Sequence, residues 1–579
     1  MAMALEPPPS SAILRFGVFE VDTRARELRK KGVRVKLQDQ PFRVLALLLK
    51  HAGEVVSREE LRSHIWGSDT FIDFDRGLNT SINKLRETLG DSADKPTFIE
   101  TLPRRGYKFI AQVEKLRSRH APQIDSLAVL PLDNLCGDPA EEYFCDGLTE
   151  ELICALARIA SLRVISRTSA MSYKGSRKSL PEVAKELCVD AVVEGSVARS
   201  DQRVRINVQL ILAPEDRHLW SGRYERDLRD IVQLQAEVAQ SIASQIHKFF
   251  SPEHAHPLCT RRVDPRAYEA CLKGIFFRDK MTPADLEKSI GLFKQAIDLD
   301  PSYARAFGDL SRAYFYLGVF GIGLPQEMFL KARANAAKAL ELDESVASAH
   351  AALAAVHIFY DWDWAAAEAE SRRAVELSPG ESVTHAHFAD YLSIRGRHSE
   401  AIAAYSRVLE LDPISRVFIG HFGLILYRAR RYDESIAQCY RALEIDPTYA
   451  NALWFLALSL EQKGELGEAI AKLEKAVSVT HGSYYQALLG RAYALVGERT
   501  KTLDILSELE TLSEQIYVSP FDIAVAYVGL GDLTSAFQWF EKAYEQRVWR
   551  IIELTMPMFD NLRSDPRWQD LVHRIGLQK

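Results

Sequence analysis

One short phrase recurs through the C-terminal half of this 579-residue chain. Its copies read AIDLDP, ALELDE, AVELSP, VLELDP and ALEIDP, and they end at Pro301, Glu344, Pro379, Pro413 and Pro447. The steps between these ends are 43, 35, 34 and 34 residues. Proline cannot continue a helix and disfavours helix at the preceding residue, so the phrase marks helix ends. Because 34 residues make two antiparallel helices with two turns, this half is predicted to be an array of helix pairs.

The spacing and the small residues of this array resemble the tetratricopeptide repeat (TPR). Gly423 falls where the first helix of a pair packs closely on the second, and Ala442 is the small contact on that second helix. About eight pairs are expected between Ala267 and Gln546, with an insertion around the second pair. The last clear unit places the same residue types at the same offsets, at Tyr527, Ala536, Phe540 and Ala543.

Repeats of this kind stack into a superhelix with a concave groove, because no single pair can bury its apolar face alone. The groove is predicted to bind a regulatory protein or peptide. A spacer or a dimerisation surface stays open as an alternative, since a fold does not fix a function. Trp362 and Trp364 are interpreted as packing residues at the insertion rather than as groove anchors.

The N-terminal hundred residues differ from the remainder in charge. Residues 13–119 hold 22 Lys and Arg against 15 Asp and Glu, a net charge of +7, whereas the whole chain carries −6. A basic block on an acidic remainder indicates a head that binds a polyanion. Alternating segments predict a small antiparallel sheet at Leu14–Val21 and Val33–Leu37. Two helices follow, Gln40–His51 and Ser57–Trp66, and the second opens on a capping-box pattern.

The third expected helix, Asp73–Asp91, has two contrasting faces. Its apolar residues recur at helical spacing and predict one buried stripe, formed by Leu78, Ile82, Leu85 and Leu89. Asn and Arg, whose side chains pair with adenine and guanine edges in the major groove, mark the other face. Two short strands follow, Phe98–Leu102 and Tyr107–Ala111, and the turn between them holds Arg104 and Arg105. Such a hairpin is typical of a wing over a phosphate backbone or a minor groove.

The phrases VVSREELRSHIW, LNTSINKLRETLGD and FIETLPRRGYKF resemble the OmpR/PhoB-type winged-helix family, in its CadC- and ToxR-like branch, over residues 13–112. The resemblance implies an α+β winged helix-turn-helix fold that binds double-stranded DNA. Its recognition-helix contacts fall on Arg76, Asn79, Ser81, Asn83, Lys84 and Arg86. Its wing contacts fall on Thr101, Arg104, Arg105 and Tyr107. Many family members carry Arg or His where this chain has Asn83 and Ser81, so the operator sequence is not inherited.

The segment from residue 126 to 250 alternates expected strands and helices, which predicts an α/β domain. Its phrases SLAVLPLDNL, EYFCDGLTEELICALARI and LRVISRTSAM resemble the TolB N-terminal-like domain, which implies no secure catalytic role. The first and third phrases are predicted to be strands and the second a helix. The helix carries three acids that are interpreted as compensating the helix dipole, Asp146, Glu150 and Glu151. The linker that follows has no evident fourth metal ligand beside His254, His256 and Cys259.

These observations predict a multidomain chain. A disordered terminus (1–12), the winged helix (13–112), a linker (113–125), the α/β domain (126–250), a second linker (251–264) and an all-α TPR superhelical solenoid with a C-terminal cap (265–579) are expected in that order. No P-loop, nucleophile elbow or H-E-x-x-H motif occurs, so no catalytic residue, cofactor or metal is expected. No stretch reaches the roughly 18 apolar residues of a membrane helix, so we expect a cytoplasmic protein that makes no membrane contact.

The predicted function is that of a sequence-specific transcriptional regulator. Its winged helix reads the major groove of DNA, and its TPR array binds a regulatory protein or peptide. A homodimer on repeated half-sites is expected, and RNA polymerase is a further candidate partner. No receiver domain precedes the head, so activation by aspartyl phosphorylation is not expected. The alternative is a TPR scaffold in which the winged helix serves protein contact, and a nucleotide-processing enzyme is a third class.

Overall fold

A computed structural model of the chain describes residues 12–22, 27–30, 33–35, 37–65, 74–103, 105–117, 124–157, 159, 162–200, 203–247, 263–480, 482–515 and 517–577. The chain divides into two compact units, Met1–Pro122 and Gln123–Lys579. Several residues singled out in the sequence lie outside the described residues, namely 1–11, Arg104, His254, His256, Cys259 and the side chain of Arg76. Within the described residues, no helix is long and apolar enough to cross a membrane, and no group of three or more His, Cys, Asp or Glu could hold a metal ion.

The first unit contains eight described strands and three described helices. In chain order they are β1 (Ala12–Phe16), β2 (Phe19–Asp22), β3 (Glu27–Lys30), β4 (Val33–Val35), α1 (Asp39–Lys50), β5 (Val55–Ser57), α2 (Arg58–Ile65), α3 (Phe74–Leu89), β6 (Ile99–Leu102), β7 (Gly106–Phe109) and β8 (Glu114–Arg117). An antiparallel sheet has the order β4-β3-β2-β1-β8, and a second has the order β5-β7-β6. Because β8 pairs with β1, the segment predicted as a linker from residue 113 begins with a strand of this sheet.

The helices of the first unit form as the sequence predicts. Glu60 Oε2 accepts from the Ser57 backbone N–H at 2.8 Å, and Ser57 Oγ accepts from the Glu60 backbone N–H at 3.2 Å, so the capping box at the start of α2 is confirmed. The predicted stripe of α3 is also confirmed, because all four of its members are buried in the core of the unit, Leu78, Ile82, Leu85 and Leu89. This stripe fixes which face of α3 points outward.

The second unit begins with an α/β portion. Its elements are β9 (Ser126–Val129), β10 (Asp133–Asn134), α4 (Glu142–Ala157), β11 (Arg163–Val164), α5 (Arg167–Met171), α6 (Leu180–Leu187), β12 (Ala191–Ser200), β13 (Arg203–Leu212), β14 (Arg217–Asp227) and α7 (Ile231–His247). The sheet order is β11-β9-β12-β13-β14, with β10 beside β12. The strand predicted over LRVISRTSA is wrong after Val164. There the chain leaves the sheet, because the Ser166 backbone N–H donates to Leu411 O at 2.8 Å and α5 begins one residue later.

The helices of the repeat array form eight antiparallel pairs, as the sequence predicts. They are α8 (Pro265–Arg278), α9 (Pro283–Leu299), α10 (Ala304–Phe320), α11 (Pro325–Leu342), α12 (Ala347–Val356), α13 (Trp364–Leu377), α14 (Ser382–Ile394), α15 (His398–Leu411), α16 (Arg416–Arg428), α17 (Tyr432–Ile445), α18 (Ala450–Lys463), α19 (Leu466–Thr480), α20 (Ser483–Leu495), α21 (Arg499–Ser513), α22 (Pro520–Leu530) and α23 (Leu533–Glu545). The 43-residue step reflects longer helices, since α10 and α11 have 17 and 18 residues.

The two helices of a pair differ in how much of each is buried. A Cβ at Gly423 would lie 2.6 Å from Cys439 Sγ, so the close approach predicted there is confirmed. In α18, the first helix of its pair, eleven residues between Ala450 and Glu461 are buried. In α19, the second helix, the buried residues are Ala469, Leu473 and Ala476. The first helices are therefore covered on a face that their own partners do not touch.

Residues 547–577 cover this face of the first helices, and we call them the C-terminal segment. It consists of the turns Trp549–Thr555 and Pro557–Leu562 and of α24 (Pro566–Arg574). Trp549 Nε1 donates to Val319 O in α10 at 3.1 Å, and Arg491 in α20 donates to Met558 O at 3.4 Å. One short segment can reach the second and the seventh pair only if the first helices line the inside of the superhelix.

The inner face predicted as a peptide groove is therefore filled by the chain itself. Five side chains of the C-terminal segment are fully buried, Ile551, Leu554, Met556, Phe559 and Leu562. At about 1.5–3 kcal/mol each, their burial contributes roughly 8–15 kcal/mol to folding before the entropic cost of ordering the segment. The C-terminal segment therefore occupies the inner face, and the expectation that the repeats bind a regulatory protein or peptide stays a prediction. The interpretation of Trp364 as a packing residue is confirmed, since its Nε1 donates to Ile575 O at 2.8 Å.

The α/β portion and the repeats pack into one compact unit, although the sequence predicts two domains. Asp412, at the end of α15, accepts from Ser166 Oγ at 2.5 Å and from Ser382 Oγ at 3.3 Å. The acids of α4 take part in ion pairs and lie within the helix rather than at its start. Asp146 pairs with Lys174 at 2.5 Å, and Glu151 pairs with Arg305 of the repeats.

Candidate DNA interface

The outward face of α3 is polar and open to solvent. Asn79, Asn83 and Lys84 are exposed on it, and the apolar stripe holds the opposite face in the core. Lys84 Nζ donates to Gln38 Oε1 at 2.6 Å, which places this ammonium beside the start of α1. Because Asn side chains can pair with base edges and Lys with phosphates, this face carries both kinds of DNA-binding group.

A three-residue network holds Asn79 in place. Tyr107 Oη donates to Asn79 Oδ1 at 3.0 Å, and Arg58 Nη2 donates to the same oxygen at 3.4 Å and to Tyr107 Oη at 3.2 Å. The Arg58 guanidinium also lies over the Tyr107 ring, 5.5 Å from its centroid. Since the Oδ1 end of the amide is engaged, the Nδ2 hydrogens are the end available to nucleic acid.

Tyr107 and Arg58 depart from the sequence prediction in opposite ways. Tyr107, expected to contact DNA from the wing, is 3% exposed, so it orients Asn79 rather than reaching the duplex. Arg58 did not stand out in the sequence, although it belongs to the network. No local signal could have found it, because its partners Asn79 and Tyr107 are 21 and 49 residues away.

Two residues expected to contact DNA from α3 face the interior. Ser81 is 3% exposed, and its hydroxyl donates to Gly77 O at 3.0 Å. Arg86 is 8% exposed, and its Nη2 donates to Ile99 O and to Thr101 Oγ1, each at 2.8 Å. A side chain that is buried and bonded inside the unit cannot also bind a base or a phosphate. We therefore correct both assignments: Arg86 ties α3 to β6, and the exposed Thr101 is a partner in that tie.

The wing is the hairpin of β6 and β7. The Arg105 backbone N–H donates to Leu102 O at 3.0 Å and closes the turn, and the Arg105 side chain is exposed. Gly106 has a φ of +145°, and a Cβ there would lie 2.1 Å from Val56 O, so the contact of β7 with β5 requires glycine. Asp91 anchors the other end of the hairpin by accepting from the backbone N–H of Thr97 at 2.6 Å and of Ile99 at 2.8 Å.

Comparison with known families agrees with this geometry. Residues 32–109 match the family described as "Transcriptional regulatory protein, C terminal". Residues 388–450 and 426–492 match families described as "Tetratricopeptide repeat". The first unit is therefore a winged-helix DNA-binding domain. Its residues 32–109 form a transcriptional regulatory domain of the OmpR/PhoB type, and the helix pairs within residues 388–492 are TPR repeats.

Individual relatives are similar to parts of the chain. "Transcriptional regulator HilA" of Salmonella typhimurium is 23% identical over 346 residues, which cover 58% of this chain and 60% of HilA. A Rhizobium meliloti protein named "Putative adenylate cyclase 3" is 36% identical over 191 residues, which cover 33% of this chain and 32% of that protein. The DNA-binding domain of Klebsiella pneumoniae RstA, solved with its RstA box, is 32% identical, with 17% of this chain and 96% of that chain covered and a TM-score of 0.16. The matches thus span between about a third and three fifths of these two curated relatives.

Proposed function

We propose that this chain is a sequence-specific DNA-binding transcriptional regulator that acts in the cytoplasm. The observation that carries the proposal is the outward face of α3, whose polar residues stand open over a fully buried apolar stripe. In this proposal Asn79 and Asn83 pair with base edges, whereas Arg76, Lys84, Arg104 and Arg105 bind phosphates. Ser81, Arg86, Thr101 and Tyr107 keep those groups in position.

The second unit supplies regulation in this proposal. TPR repeats imply a protein partner, and because the C-terminal segment fills the inner face, the partner binds an outward surface of the repeats. RNA polymerase is one candidate for that partner. Two copies of the chain pair on repeated half-sites, so that each outward α3 face reads one half-site. No catalytic step is part of the proposal.

Selection from a random duplex library tests the proposal with the full chain. The selection is run at about 50 mM and about 200 mM salt, because phosphate contacts make the affinity fall steeply between these concentrations. We expect an enriched motif at both concentrations and a steep loss of total binding at the higher one. Retention of DNA without any motif, or binding that ignores salt, contradicts a sequence-specific regulator and favours the scaffold alternative.

The relative named as a cyclase motivates one further assay. The full chain is incubated with ATP and Mg²⁺, and cyclic AMP is measured by mass spectrometry. We expect none above the level given by heat-denatured protein. Production of cyclic AMP in proportion to protein concentration would overturn the assignment of this chain as a regulator without enzymatic activity.

A further inference from the structure

A cavity of about 200 Å³ lies inside the second unit, where the second helix pair meets the seventh and eighth. Its walls come from four stretches of the chain, which lie within residues 318–325, 482–485, 517–522 and 548–550. The first runs from the end of α10 to the start of α11, the next two begin α20 and α22, and the last belongs to the C-terminal segment. The cavity therefore lies where parts of the superhelix that are distant in the sequence meet.

One wall of this cavity holds a carboxylate oxygen that lacks a donor. Asp522, in α22, is 2% exposed. Its Oδ2 accepts from Ser483 Oγ at 2.7 Å, whereas its Oδ1 has no hydrogen-bond partner in the described part of the chain. The Arg550 guanidinium comes no closer than 4.0 Å to Oδ1. Since a buried acceptor without a donor costs about 1–3 kcal/mol, this oxygen points to a missing donor.

The charges around the cavity are not balanced. Arg550 Nη1 pairs with Glu553 Oε1 at 3.0 Å, and Tyr484 Oη donates to the same carboxylate through Oε2. The guanidinium also lies 3.7 Å from the Tyr484 ring centroid, so it is fixed in this place. Two carboxylates therefore share one guanidinium. The excess negative charge sits at Asp522 and favours a cation.

Aromatic side chains complete the cavity and mark its entrance. Tyr484, Tyr485 and Trp549 line its interior. Phe320 and Tyr517 line it nearer to solvent, with exposed fractions of 48% and 40%. Aromatic faces attract cations and also bury apolar groups. At roughly 30 Å³ per water, the volume corresponds to about seven waters, which is the size of a small metabolite rather than of a peptide.

We propose that this cavity binds a small organic ammonium compound, whose N–H donates to Asp522 Oδ1 and whose apolar part packs against Tyr517 and Phe320. The ligand touches walls from the second, seventh and eighth pairs, so its binding stabilises the folded second unit. The proposal adds a small-molecule input to the regulatory unit. It does not depend on DNA binding by the first unit.

Three probes of one shape and different charge test this proposal on the full chain. They are phenethylamine, phenethyl alcohol and phenylacetate, titrated by calorimetry at pH 7.5. We expect saturable binding of the amine, at least about tenfold weaker binding of the alcohol, and the weakest binding of the carboxylate, since tenfold corresponds to about 1.4 kcal/mol. Absence of amine binding up to about 10 mM, or equal binding of amine and carboxylate, overturns the proposal.

Variants assign the effect to Asp522. Asp522→Asn keeps the shape of the side chain and should remove the preference for the amine over the alcohol. Asp532→Asn is the matched control, because this helix-capping residue of α23 accepts from the Ser535 backbone N–H and does not line the cavity. Tyr517→Ala, at the exposed wall, should weaken amine and alcohol alike. An unchanged preference for the amine in Asp522→Asn contradicts the proposal. If Asp522→Asn does not fold, Tyr517→Ala is the deciding variant, and unchanged binding of the amine by it contradicts the proposal.

Acidity gives a readout that needs no ligand. Burial raises the pKa of Asp522 to about 6, against the effects of Arg550 and Ser483, and Glu553 adds to the rise. Tyr484, Tyr485 and Tyr517 also face this carboxyl group. A raised pKa means that the folded chain holds this proton more tightly than the unfolded chain, so the stabilisation is present at low pH and is lost as pH rises through about 6. Asp522→Asn should therefore raise the Tm more at pH 8 than at pH 5, and an equal change at both values contradicts the burial of this charge.

Discussion

The outward face of α3 and the inner face of the helix pairs are both surfaces of a kind that binds partners, yet the chain treats them differently. Behind α3 an apolar stripe is buried, and Asn79, Asn83 and Lys84 stand open in front of it. The inner face of the repeats is apolar, and the C-terminal segment covers it with fully buried side chains such as Phe559. The inner face of a repeat array can therefore pack against another part of the same chain. The polar face of α3 does not pack against the chain in this way, so it stays exposed to a binding partner.

The largest expected effect concerns the inner face of the repeats, which the C-terminal segment covers. Phe559→Ala removes a fully buried ring from the C-terminal segment, so we expect it to lower the free energy of unfolding of the second unit by about 3–5 kcal/mol. Urea denaturation followed by tryptophan fluorescence measures this loss. Asp570→Ala on α24 is the control, since its carboxylate is mostly exposed and its loss should cost under about 1 kcal/mol. A loss as small for Phe559→Ala would show that the inner face is open.

The tie between α3 and the wing gives the next effect. Arg86→Ala leaves Ile99 O and Thr101 Oγ1 without their donor, and we expect it to destabilise the first unit by about 2–3 kcal/mol and to weaken DNA binding at every sequence. Thermal denaturation and fluorescence anisotropy measure the two losses. Its exposed neighbour Glu87 supplies the control Glu87→Ala, which should retain stability. If Arg86→Ala binds DNA more weakly but is as stable as the wild type, Arg86 contacts DNA directly.

A smaller effect is expected for the phosphate contact that we propose for Lys84 on the outward face of α3. Lys84→Ala should weaken binding to all duplexes several-fold and should reduce the slope of log affinity against log salt by about 0.9, the value for one phosphate contact. Anisotropy titrations across a salt series measure the slope. Lys50→Ala, at the exposed end of α1, is the control that should retain it. Equal slopes for Lys84→Ala and the wild type contradict a phosphate contact at this position.

The smallest effect concerns the network that holds Asn79. Tyr107→Phe removes one hydroxyl and keeps the ring beneath Arg58, so we expect a loss of about 0.5–1.5 kcal/mol in stability. Differential scanning calorimetry of the full chain, compared with the wild type, measures it. Tyr107→Phe should also weaken the preference for one base over the others at the base pair that Asn79 contacts. Tyr493→Phe in the second unit is the control and should leave this base preference unchanged. Unaltered preference in Tyr107→Phe means that the network does not orient Asn79 for DNA.

Local periodicity predicted much of the fold. The four-residue stripe of α3 and the eight helix pairs follow from spacings of three to four and of about 34 residues. The same spacing could also have revealed Ser81 and Arg86 as interior residues. They lie three residues after Leu78 and four after Ile82, inside the width that a core-facing stripe normally has. Their polarity directed the prediction to the wrong face.

Contacts between distant parts of the chain could not be predicted in this way. Trp549 bonds to Val319 over 230 residues, and Asp412 bonds to Ser166 over 246 residues, so neither the filled groove nor the fused α/β portion leaves a periodic signal. The cavity at Asp522 is missed for the same reason, since its walls come from four separate stretches. Spacing indicates which residues are buried in an element, and it does not indicate what covers them.

We propose that the outward face of α3 reads DNA sequence. The most direct test is a parallel selection of random duplexes by the full chain and by its Asn83→Ala variant under identical salt. We expect a motif for the wild type and, for the variant, the same motif with the preference at one base pair weakened, because a good base contact discriminates by about 1–3 kcal/mol. Identical motifs for the two proteins, or no motif for either, would contradict it.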